Sequence, residues 1–499
     1  MTLPTPTRCL PRRLALPPLL LASLALAACS DGDRHASGAS LSLAPCADDT
    51  ALDCGVMDVP LIHDSTDTRR MAIDVVRLPG TGSGPHETLM VNPGGPGGSG
   101  TWMVREFARR DALPAALRER YDLVGFDPRG IGASERIDCG PFELDELDDY
   151  PPDAAAMNAL VDDSVVLADA CSAEVGDRLQ WLGSNAVVAD MDALRMLLDA
   201  PLLNLVGYSY GTRLAALYLQ RFPGSSGRIV LDASLPPDAA ILPLVTGQVE
   251  AQQRNLELLW GACGTAVPAC DPGTFDAALG RRLQALLAPE DGSAFELFGT
   301  LVLTAVESPL AAGPLAPILV QYVLDGRLEP LIELAQASGV DIGESAGDDD
   351  GPGDDNGTVR RAVLCADDAA RPDRDALAAT LDDLDRRSDL FGESQAAIAA
   401  SCAGWPAALD PLAPIATEAA PVSLVIGGRY DAQTPIEWAQ LMAEAIGGRF
   451  LASDHDGHTS VFNGESACVD DIVTAFLLDG TLPDEAGCSD SAVTDGGAR

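Results

Sequence analysis

The segment that most constrains the fold of this chain is a short apolar run leading into a serine that is flanked by glycines. Residues 202–206 (LLNLV) have the composition of a buried strand, residues 207–211 are GYSYG, and residues 212–221 (TRLAALYLQR) repeat apolar positions at helical spacing. Such a short connection requires neighbouring segments to approach closely, which glycine permits because it has no side chain. The segment therefore predicts a strand, a sharp turn at Ser209 and a helix.

Short strands of the same kind recur along the chain, and helical patterns separate them. The alternation predicts an α/β fold with a mostly parallel sheet, since parallel neighbours need crossover helices. A long stretch that is mostly helical, as over residues 275–288 and 315–336, interrupts this pattern. We therefore expect one α/β domain in two parts, residues 45–235 and 416–490, with a large helical cap over residues 236–415 inserted after the sixth core strand. The strands are expected at residues 56–62, 71–78, 88–91, 121–126, 202–206, 228–232, 422–426 and 449–452.

The charge of the chain excludes two classes of partner. Its 499 residues include 32 Lys and Arg against 75 Asp and Glu, a formal net charge of −43, and none of the basic residues is lysine. Nucleic-acid binding by counterion release requires a basic face, and docking of a polybasic segment on anionic lipid requires clustered positive charge. We therefore expect no nucleic-acid partner and no membrane contact of the electrostatic kind.

The N-terminus has the pattern of an export signal. Three arginines among the first 13 residues precede the apolar residues 14–28, which are too few to span a bilayer, for which about 20 are needed. Residues 26–29 (LAAC) resemble the lipobox of bacterial lipoproteins, in which the cysteine is acylated and becomes the new N-terminus. We expect a removed signal peptide over residues 1–28, lipidation of Cys29 and a polar tether over residues 29–44. The exported protein would then be anchored in the cell envelope, in the outer membrane or periplasm of a Gram-negative cell; ordinary cleavage with an incidental Cys29 is the alternative.

The remaining cysteines suggest disulfides rather than a metal site. Removal of Cys9 and lipidation of Cys29 leave ten of the twelve cysteines, an even number in an exported chain. No C-x-x-C spacing occurs and no histidine has ligand spacing to a cysteine, so we expect no metal. The sequence does not determine the pairing. Pairing neighbours along the chain would join Cys46 to Cys54, Cys139 to Cys171, Cys263 to Cys270, Cys365 to Cys402, and Cys468 to Cys488.

Two segments match the pattern G-x-S-x-G, and their context separates them. This pattern marks a nucleophile only where a strand precedes the serine and a helix follows it. Ser209 has both neighbours. Ser345 lies in GESAG and is followed by a run of aspartates and glycines that would not continue as a helix. Ser209 is therefore the predicted nucleophile, and Ser345 is a chance match.

A serine hydroxyl needs a base to accept its proton, and the base needs a carboxylate to orient it. In the chain order Ser, Asp/Glu, His, the base must follow Ser209, and only His455 and His458 do so. We expect His458, with His455 as the alternative. Asp431 follows the strand 422–426 in a loop and is the expected acid. Asp232, at the end of the preceding strand, is the second candidate.

Backbone amides are expected to stabilise the oxyanion of the tetrahedral intermediate. The N–H of Tyr210 follows the nucleophile directly, and the glycine run 94–98 can supply another donor because no side chain blocks it. We favour Gly94, with Gly95 close behind. The run is not a phosphate loop, because it lacks the Gly-Lys-[Ser/Thr] ending.

These motifs together resemble one family. The segments NPGGPGGSG, DPRGIGAS, GYSYGT, GGRYDAQTP and GHTS are similar to those of the tripeptidyl aminopeptidase branch of the proline-iminopeptidase-like serine peptidases, over roughly residues 50–235 and 415–480. The resemblance implies an α/β-hydrolase fold with a helical cap, no cofactor, and the nucleophile, acid and base at Ser209, Asp431 and His458.

The resemblance also implies a substrate and a way to bind it. Members of the family release short units from peptides with a free N-terminus, and carboxylates of the cap or near the site hold the substrate ammonium group. Glu250 and Glu307 are the candidates here, although neither lies in a motif of the family. The leading hypothesis is therefore an exported serine exopeptidase that releases tripeptides or other short N-terminal units. An esterase or other acyl hydrolase on the same fold is the second hypothesis, and a non-catalytic binding lipoprotein is the third.

Overall fold

The structure is a computed structural model, and it describes residues 39–137, 139, 151–238, 240–266, 305–310, 356–417, 421–484 and 487–489. The α/β fold expected from the alternation of strands and helices is confirmed. The strands are β1 (Ser40–Pro45), β2 (Asp53–Pro60), β3 (Arg70–Leu78), β4 (Glu87–Asn92), β5 (Tyr121–Phe126), β6 (Leu203–Tyr208), β7 (Ser226–Asp232), β8 (Leu424–Gly428), β9 (Arg449–Ser453) and β10 (Gly487–Cys488). The helices are α1 (Gly100–Arg110), α2 (Ala115–Arg120), α3 (Ala154–Val175), α4 (Ser184–Leu197), α5 (Gly211–Arg221), α6 (Ile241–Ala266), α7 (Asn356–Asp367), α8 (Arg374–Arg387), α9 (Gly392–Ala400), α10 (Ile436–Ile446) and α11 (Ala467–Asp479).

The strands form one sheet in the order β1-β2-β3-β5-β4-β6-β7-β8-β9-β10. Strands β1, β2 and β3 pair antiparallel, as do β3 and β5, and the pairs from β5–β4 onward are parallel. Every residue of β6 and β8 is buried, which is typical of central strands covered by helices on both faces. The parallel half of the sheet therefore brings the ends of β4, β6, β7 and β8 to one edge.

Side chains that alternate along the central strands form two cores, one on each face of the sheet. In β7, Ile229 and Leu231 belong to one core and Val230 to the other, as the two-residue repeat of a strand requires. Helices α1, α2 and α11 cover the second core, and α3, α4, α5 and α10 cover the first. Both faces are thus sealed, which leaves the edge at the strand ends as the place for a site.

Helices also make up the described part of the insertion between β7 and β8. Helices α6, α7, α8 and α9 lie within it, and α6 contacts α8 and α9. The expected helices over residues 275–288 and 315–336 lie outside the described residues. Among the residues that the structure describes, no helix is both long enough and apolar enough to cross a membrane.

The N-terminal edge of the sheet differs from the sequence expectation. The predicted tether extended to residue 44, whereas Ser40–Pro45 form strand β1, which pairs antiparallel with β2. The alternation of Ser40, Leu41, Ser42 and Leu43 is the signal, since a strand with one covered face alternates polar and apolar residues. The two serines give the segment the composition of a polar linker, whereas its period of two is that of a strand.

Four disulfides are present in the described residues: Cys46–Cys54, Cys139–Cys171, Cys365–Cys402 and Cys468–Cys488. Each joins cysteines that are neighbours along the chain. The fifth expected pair, Cys263–Cys270, lies outside the described residues because Cys270 does. Cys46, Cys54 and Asp48 come close enough to hold an ion, but the two sulfurs are bonded to each other and provide no thiolate ligand.

Candidate active site

Ser209 lies in the turn between β6 and α5, in a strained backbone conformation. Its φ is 53°, in the left-handed region that a residue with a side chain rarely adopts. The turn is held because the N–H of Ser209 donates to the carbonyl of Asp232 at 3.0 Å, and its carbonyl accepts from the hydroxyl of Thr212 at 2.5 Å. A Cβ at Gly211 would lie 2.6 Å from the carbonyl oxygen of Asn92. The glycine therefore allows β4 to approach the turn.

His458 and Asp431 form a hydrogen-bonded pair at the ends of neighbouring strands. His458 follows β9 and Asp431 follows β8, and the Nδ1 of His458 lies 2.8 Å from the Oδ2 of Asp431. The Asp431 side chain is fully buried and that of His458 is 19% exposed. The imidazole is thus fixed by its Nδ1, which leaves its Nε2 as the nitrogen that can exchange a proton with a bound molecule.

Backbone and hydroxyl donors hold the carboxylate of Asp431 in place. Its Oδ1 accepts from the N–H groups of Gln433 and Thr434 at 2.8 Å each, and its Oδ2 also accepts from the hydroxyl of Thr434 at 2.7 Å. Burial raises the pKa of Asp431, but the charge and hydrogen bond of His458 together with the bonds from Thr434 outweigh it. The pKa of Asp431 therefore lies below its usual value.

The environment of His458 shifts its pKa in the opposite direction. Burial lowers the pKa of His458, but the charge and hydrogen bond of Asp431 and the charges of Asp232 and Glu307 raise it more. The net effect is a pKa above the usual histidine value. Asp431 thus stabilises the positively charged imidazole that forms when His458 accepts a proton.

The two alternative residues named from the sequence lie next to this pair and have other contacts. The Oδ2 of Asp232 accepts from the N–H groups of Ser460 and Val461, at 2.7 and 2.8 Å, so this carboxylate holds the loop after His458. The Nδ1 of His455 lies 2.9 Å from the hydroxyl of Ser453. Neither residue has the histidine–carboxylate contact that joins His458 to Asp431.

The glycine run lies against the serine turn, and its first two glycines differ. The N–H of Gly94 donates to the Oδ1 of Asn92 at 3.1 Å, and a Cβ at Gly94 would lie 2.9 Å from the nitrogen of Tyr210. Gly95 lines the same pocket as Ser209 and Tyr210. The sequence favoured Gly94 as the donor to an oxyanion, but its N–H is already bonded, and this geometry favours Gly95.

A pocket opens over Ser209, between the strand ends and the helices of the insertion. Its wall is mainly apolar on the side of α6, with polar groups from α5, α7 and the loop after β8. The lining residues are Gly95, Pro96, Ser209, Tyr210, Arg213, Leu235, Ile241, Leu244, Val245, Gln248, Arg360, Leu364, Ile398, Gln433 and Thr434. A mostly apolar pocket with a few polar groups beside a perturbed histidine is typical of a small-molecule or peptide site.

The structure separates the two glutamates that the sequence singled out. Glu307 accepts a hydrogen bond from the Nε2 of Gln433 at 2.8 Å, and Gln433 lines the pocket. Asn255 of α6 holds this segment, since its Nδ2 donates to the carbonyls of Val306 and Tyr430 at 2.8 and 2.6 Å. Neither glutamate lines the pocket itself, and Glu250 forms an ion pair with Arg387 rather than a bond to a pocket residue. Glu307 therefore lies beside the pocket and Glu250 does not.

Two residues named from the sequence, Ser345 and Cys29, lie outside the described residues. Three contributors to the site were not predicted: Thr434 and Asn92, which hold Asp431 and Gly94, and Arg213, which lines the pocket. Thr434 could have been found from its position three residues after Asp431, since a threonine there can bond the carboxylate locally. Arg213 lies in the first turn of α5, directly after the serine turn, and this closeness in sequence to the nucleophile is the signal that could have indicated it.

Two segments of the chain match models of known protein families. Residues 87–286 match the model of the alpha/beta hydrolase fold, and residues 388–489 match that of the TAP-like protein family. The serine protease Hip1 of Mycobacterium tuberculosis is 28% identical over 476 residues, covering 86% of each chain. The tripeptidyl aminopeptidase of Streptomyces lividans is 29% identical over 488 residues, covering 90% of this chain and 88% of that one.

A third relative is named as an esterase rather than a peptidase. Carboxylesterase B of Mycobacterium tuberculosis is 30% identical over 457 residues, covering 86% of this chain and 85% of that one. All three relatives extend over both the sheet and the insertion; two are named as peptidases and one as an esterase, and all three names denote hydrolases. The chain therefore belongs to the TAP-like family of α/β-hydrolases and is a serine hydrolase.

Proposed function

We propose that the protein is an exopeptidase that releases tripeptides or other short units from peptides with a free N-terminus. Ser209 is the proposed nucleophile, His458 the base and Asp431 the carboxylate that orients it. The observation that supports a peptide substrate is the position of Glu307, whose carboxylate is bonded to the pocket residue Gln433. A carboxylate there can pair with a substrate ammonium group.

In the proposed first step, the Nε2 of His458 takes the hydroxyl proton of Ser209 while the oxygen attacks the scissile carbonyl carbon. The carbonyl electron pair moves to oxygen, and the N–H groups of Gly95 and Tyr210 stabilise that oxyanion. Collapse of the intermediate breaks the C–N bond as His458 gives its proton to the leaving amine. Asp431 keeps the imidazole in the required tautomer and stabilises its protonated form.

Water completes the proposed cycle. It attacks the acyl-enzyme carbonyl as His458 takes one of its protons, and the ester bond to Ser209 breaks as the serine oxygen regains a proton. The product is the short peptide acid, and the enzyme returns to its starting state. Apart from water, the chain itself supplies the groups that this reaction uses: the nucleophile, the base and the oxyanion donors.

An esterase acting on simple acyl groups is the second candidate. It is favoured by the similarity to a protein named carboxylesterase B and by the apolar side of the pocket, since the same acyl-enzyme chemistry cleaves esters. The third hypothesis, a non-catalytic binding lipoprotein, is weakened because the pair of His458 and Asp431 is intact.

Export and a lipid anchor are part of the proposal and rest on the N-terminal pattern. Cleavage before Cys29 would leave a chain beginning with an acylated cysteine. Mass spectrometry of the mature N-terminus checks this: a diacylglyceryl-modified Cys29 is expected, and an unmodified cysteine would contradict it. A Cys29→Ala variant is the matched control and should lose envelope attachment while keeping its activity.

The substrate class is tested with chromogenic tripeptide amides that carry either a free or an acetylated N-terminus, beside 4-nitrophenyl esters. We expect acetylation to abolish amide turnover. We expect Glu307→Gln to lower kcat/KM for the free-amine substrates by about tenfold, since a hydrogen bond to a charged group is worth about 1.5–3 kcal/mol. Equal turnover of free and blocked substrates, with faster ester cleavage, would favour the esterase.

Covalent labelling tests the nucleophile independently of the substrate. An organophosphonate probe should label the wild-type protein and the Ser345→Ala variant, but not Ser209→Ala. The Glu250→Gln variant is the control for Glu307→Gln, because it removes an exposed carboxylate that pairs with Arg387 rather than with the pocket residue Gln433.

A further inference from the structure

The pocket over Ser209 contains two guanidinium groups that the proposed reaction does not use. Arg213 of α5 and Arg360 of α7 both line it. The chain has more than twice as many acidic as basic residues, so two arginines in one small pocket are not expected from composition. They point to a negatively charged feature of the bound molecule.

Arg213 is the more informative of the two. It is 1% exposed, and its Nε and Nη1 have no hydrogen-bond partner in the part of the chain that the structure describes. Its Nη2 makes one long bond, 3.4 Å, to the carbonyl of Asp238, and its guanidinium carbon lies 5.6 Å from the centre of the Tyr210 ring. A buried charge with unused donors is costly unless an anion or another acceptor completes it.

The charge of Arg213 acts to lower the pKa of Asp367, but the oxygens of Asp367 accept hydrogen bonds from other groups. Its Oδ1 accepts from the N–H of Ser184 at 2.7 Å, and its Oδ2 accepts from the hydroxyls of Ser184 and Tyr210 at 2.7 Å each. Burial also raises the pKa of Asp367 in spite of the arginine. Asp367 therefore holds the hydroxyl of Tyr210, and no acceptor among the described residues bonds the Nε or Nη1 of Arg213.

Arg360 extends the positive charge from the pocket to a neighbouring cavity. Its side chain is exposed and lines both spaces. The neighbouring cavity is also lined by Arg361, by Ser394 of α9 and by Ser401, which directly follows α9. A long substrate that occupies the pocket can thus meet positive charge at its wall and at its opening.

We propose that Arg213 and Arg360 bind a carboxylate of the substrate and make the enzyme selective for acidic peptides. A guanidinium group suits a carboxylate because its parallel N–H donors match the two oxygens. This proposal specifies the substrate of the proposed function, and it rests on that function in one respect, that the substrate is a peptide. A peptide offers two sources of carboxylate, an Asp or Glu side chain and its C-terminus. The side chain is the one we expect, because both arginines line the pocket of Ser209, where the acyl part binds.

The test compares glutamate with glutamine, which has nearly the same shape without the charge. Tripeptide 4-nitroanilides carry one or the other at each of the three positions in turn, and this leaving group has no carboxylate. We expect glutamate to be preferred in kcat/KM at one position by about tenfold to a hundredfold, the range that charged hydrogen bonds support. Arg360→Gln and Arg213→Gln should each bring that ratio towards one.

Controls separate recognition from folding. Arg254→Gln removes an exposed arginine of α6 that does not line the pocket, and it should keep the glutamate preference. Arg213→Lys retains a cation near Asp367 and should fold, while losing the paired geometry and part of the preference. Labelling by the organophosphonate probe shows which variants retain the active site.

Two results would overturn the inference: a ratio near one at every position in the wild type, or a ratio that neither arginine substitution changes. A preference for free over amidated C-termini in longer peptides, without one for glutamate, would reject the side-chain source. The same tripeptides, as amides, are also measured as competitive inhibitors of 4-nitrophenyl acetate hydrolysis. If no anilide is cleaved, the exopeptidase proposal fails, and the glutamate-to-glutamine ratio of inhibition constants still tests the arginines.

Discussion

Two buried carboxylates follow neighbouring strands of the sheet and do different work. Asp232 ends β7 and Asp431 follows β8, and each accepts two backbone N–H groups. Asp431 also bonds the imidazole of His458, and its pKa lies below the usual value. Burial raises the pKa of Asp232, because the amides of Ser460 and Val461 and the charges of His455 and His458 compensate only part of its lost hydration. One carboxylate is positioned to orient a base, and the other fixes the loop that carries the base.

The difference shows how similar burial can lead to opposite pKa shifts. A histidine that is hydrogen-bonded to a carboxylate stabilises its charged form strongly, whereas neutral amides and histidines that act only through their charge do so less. The sequence places both aspartates after strands and could not rank them by this criterion.

The largest expected effect comes from removing the charge of Asp431. In the Asp431→Asn variant, the amide can hold His458 in the wrong tautomer and cannot stabilise its positive form. We expect kcat to fall by about 10⁴-fold, the scale seen when the orienting carboxylate of such a triad is neutralised. Thermal unfolding should change little in comparison, and an equal loss in Asp232→Asn would contradict the separation of roles.

The Asp232→Ala variant should affect stability more than chemistry. It leaves the buried N–H groups of Ser460 and Val461 without an acceptor, at a cost of about 1–3 kcal/mol each. We expect a lower melting temperature and a smaller loss of kcat than in Asp431→Asn. Calorimetry and a burst titration on the same sample check this. Unchanged stability with lost activity would show that Asp232, not Asp431, acts on the base.

The smallest effect is a shift of the pH profile. The pKa of His458 is raised, so the base stays protonated to a higher pH, and the acid limb of kcat/KM should lie above the ordinary histidine value of about 6.5. Glu307 contributes to this rise through its charge. Glu307→Gln should therefore move the acid limb to lower pH, by less than about one unit, while Glu250→Gln should not. A shift to higher pH would contradict the assigned sign.

Much of the fold follows from the sequence because its signals are local. The period of the apolar residues and the glycines around Ser209 place β6 and α5, and the strand pattern around Asp431 and His458 places their loops at the same edge. The sequence does not predict strand β1, because its polar–apolar alternation covers only the four residues 40–43. The strand β10 has two residues, which is too short for any periodicity.

The order of residues along the chain thus determined the fold class, the serine turn and the set of candidate acids and bases, since these depend on spacing and residue type. The tertiary structure decided which candidates meet. It joined His458 to Asp431, bonded the N–H of Gly94 to Asn92, and placed Glu307 beside the pocket and Glu250 away from it. It also placed Arg213 and Arg360 in the wall of the pocket over Ser209. Apart from the local bond between Gly94 and Asn92, these choices depend on distances between residues far apart in the chain, which spacing along one strand or helix does not encode.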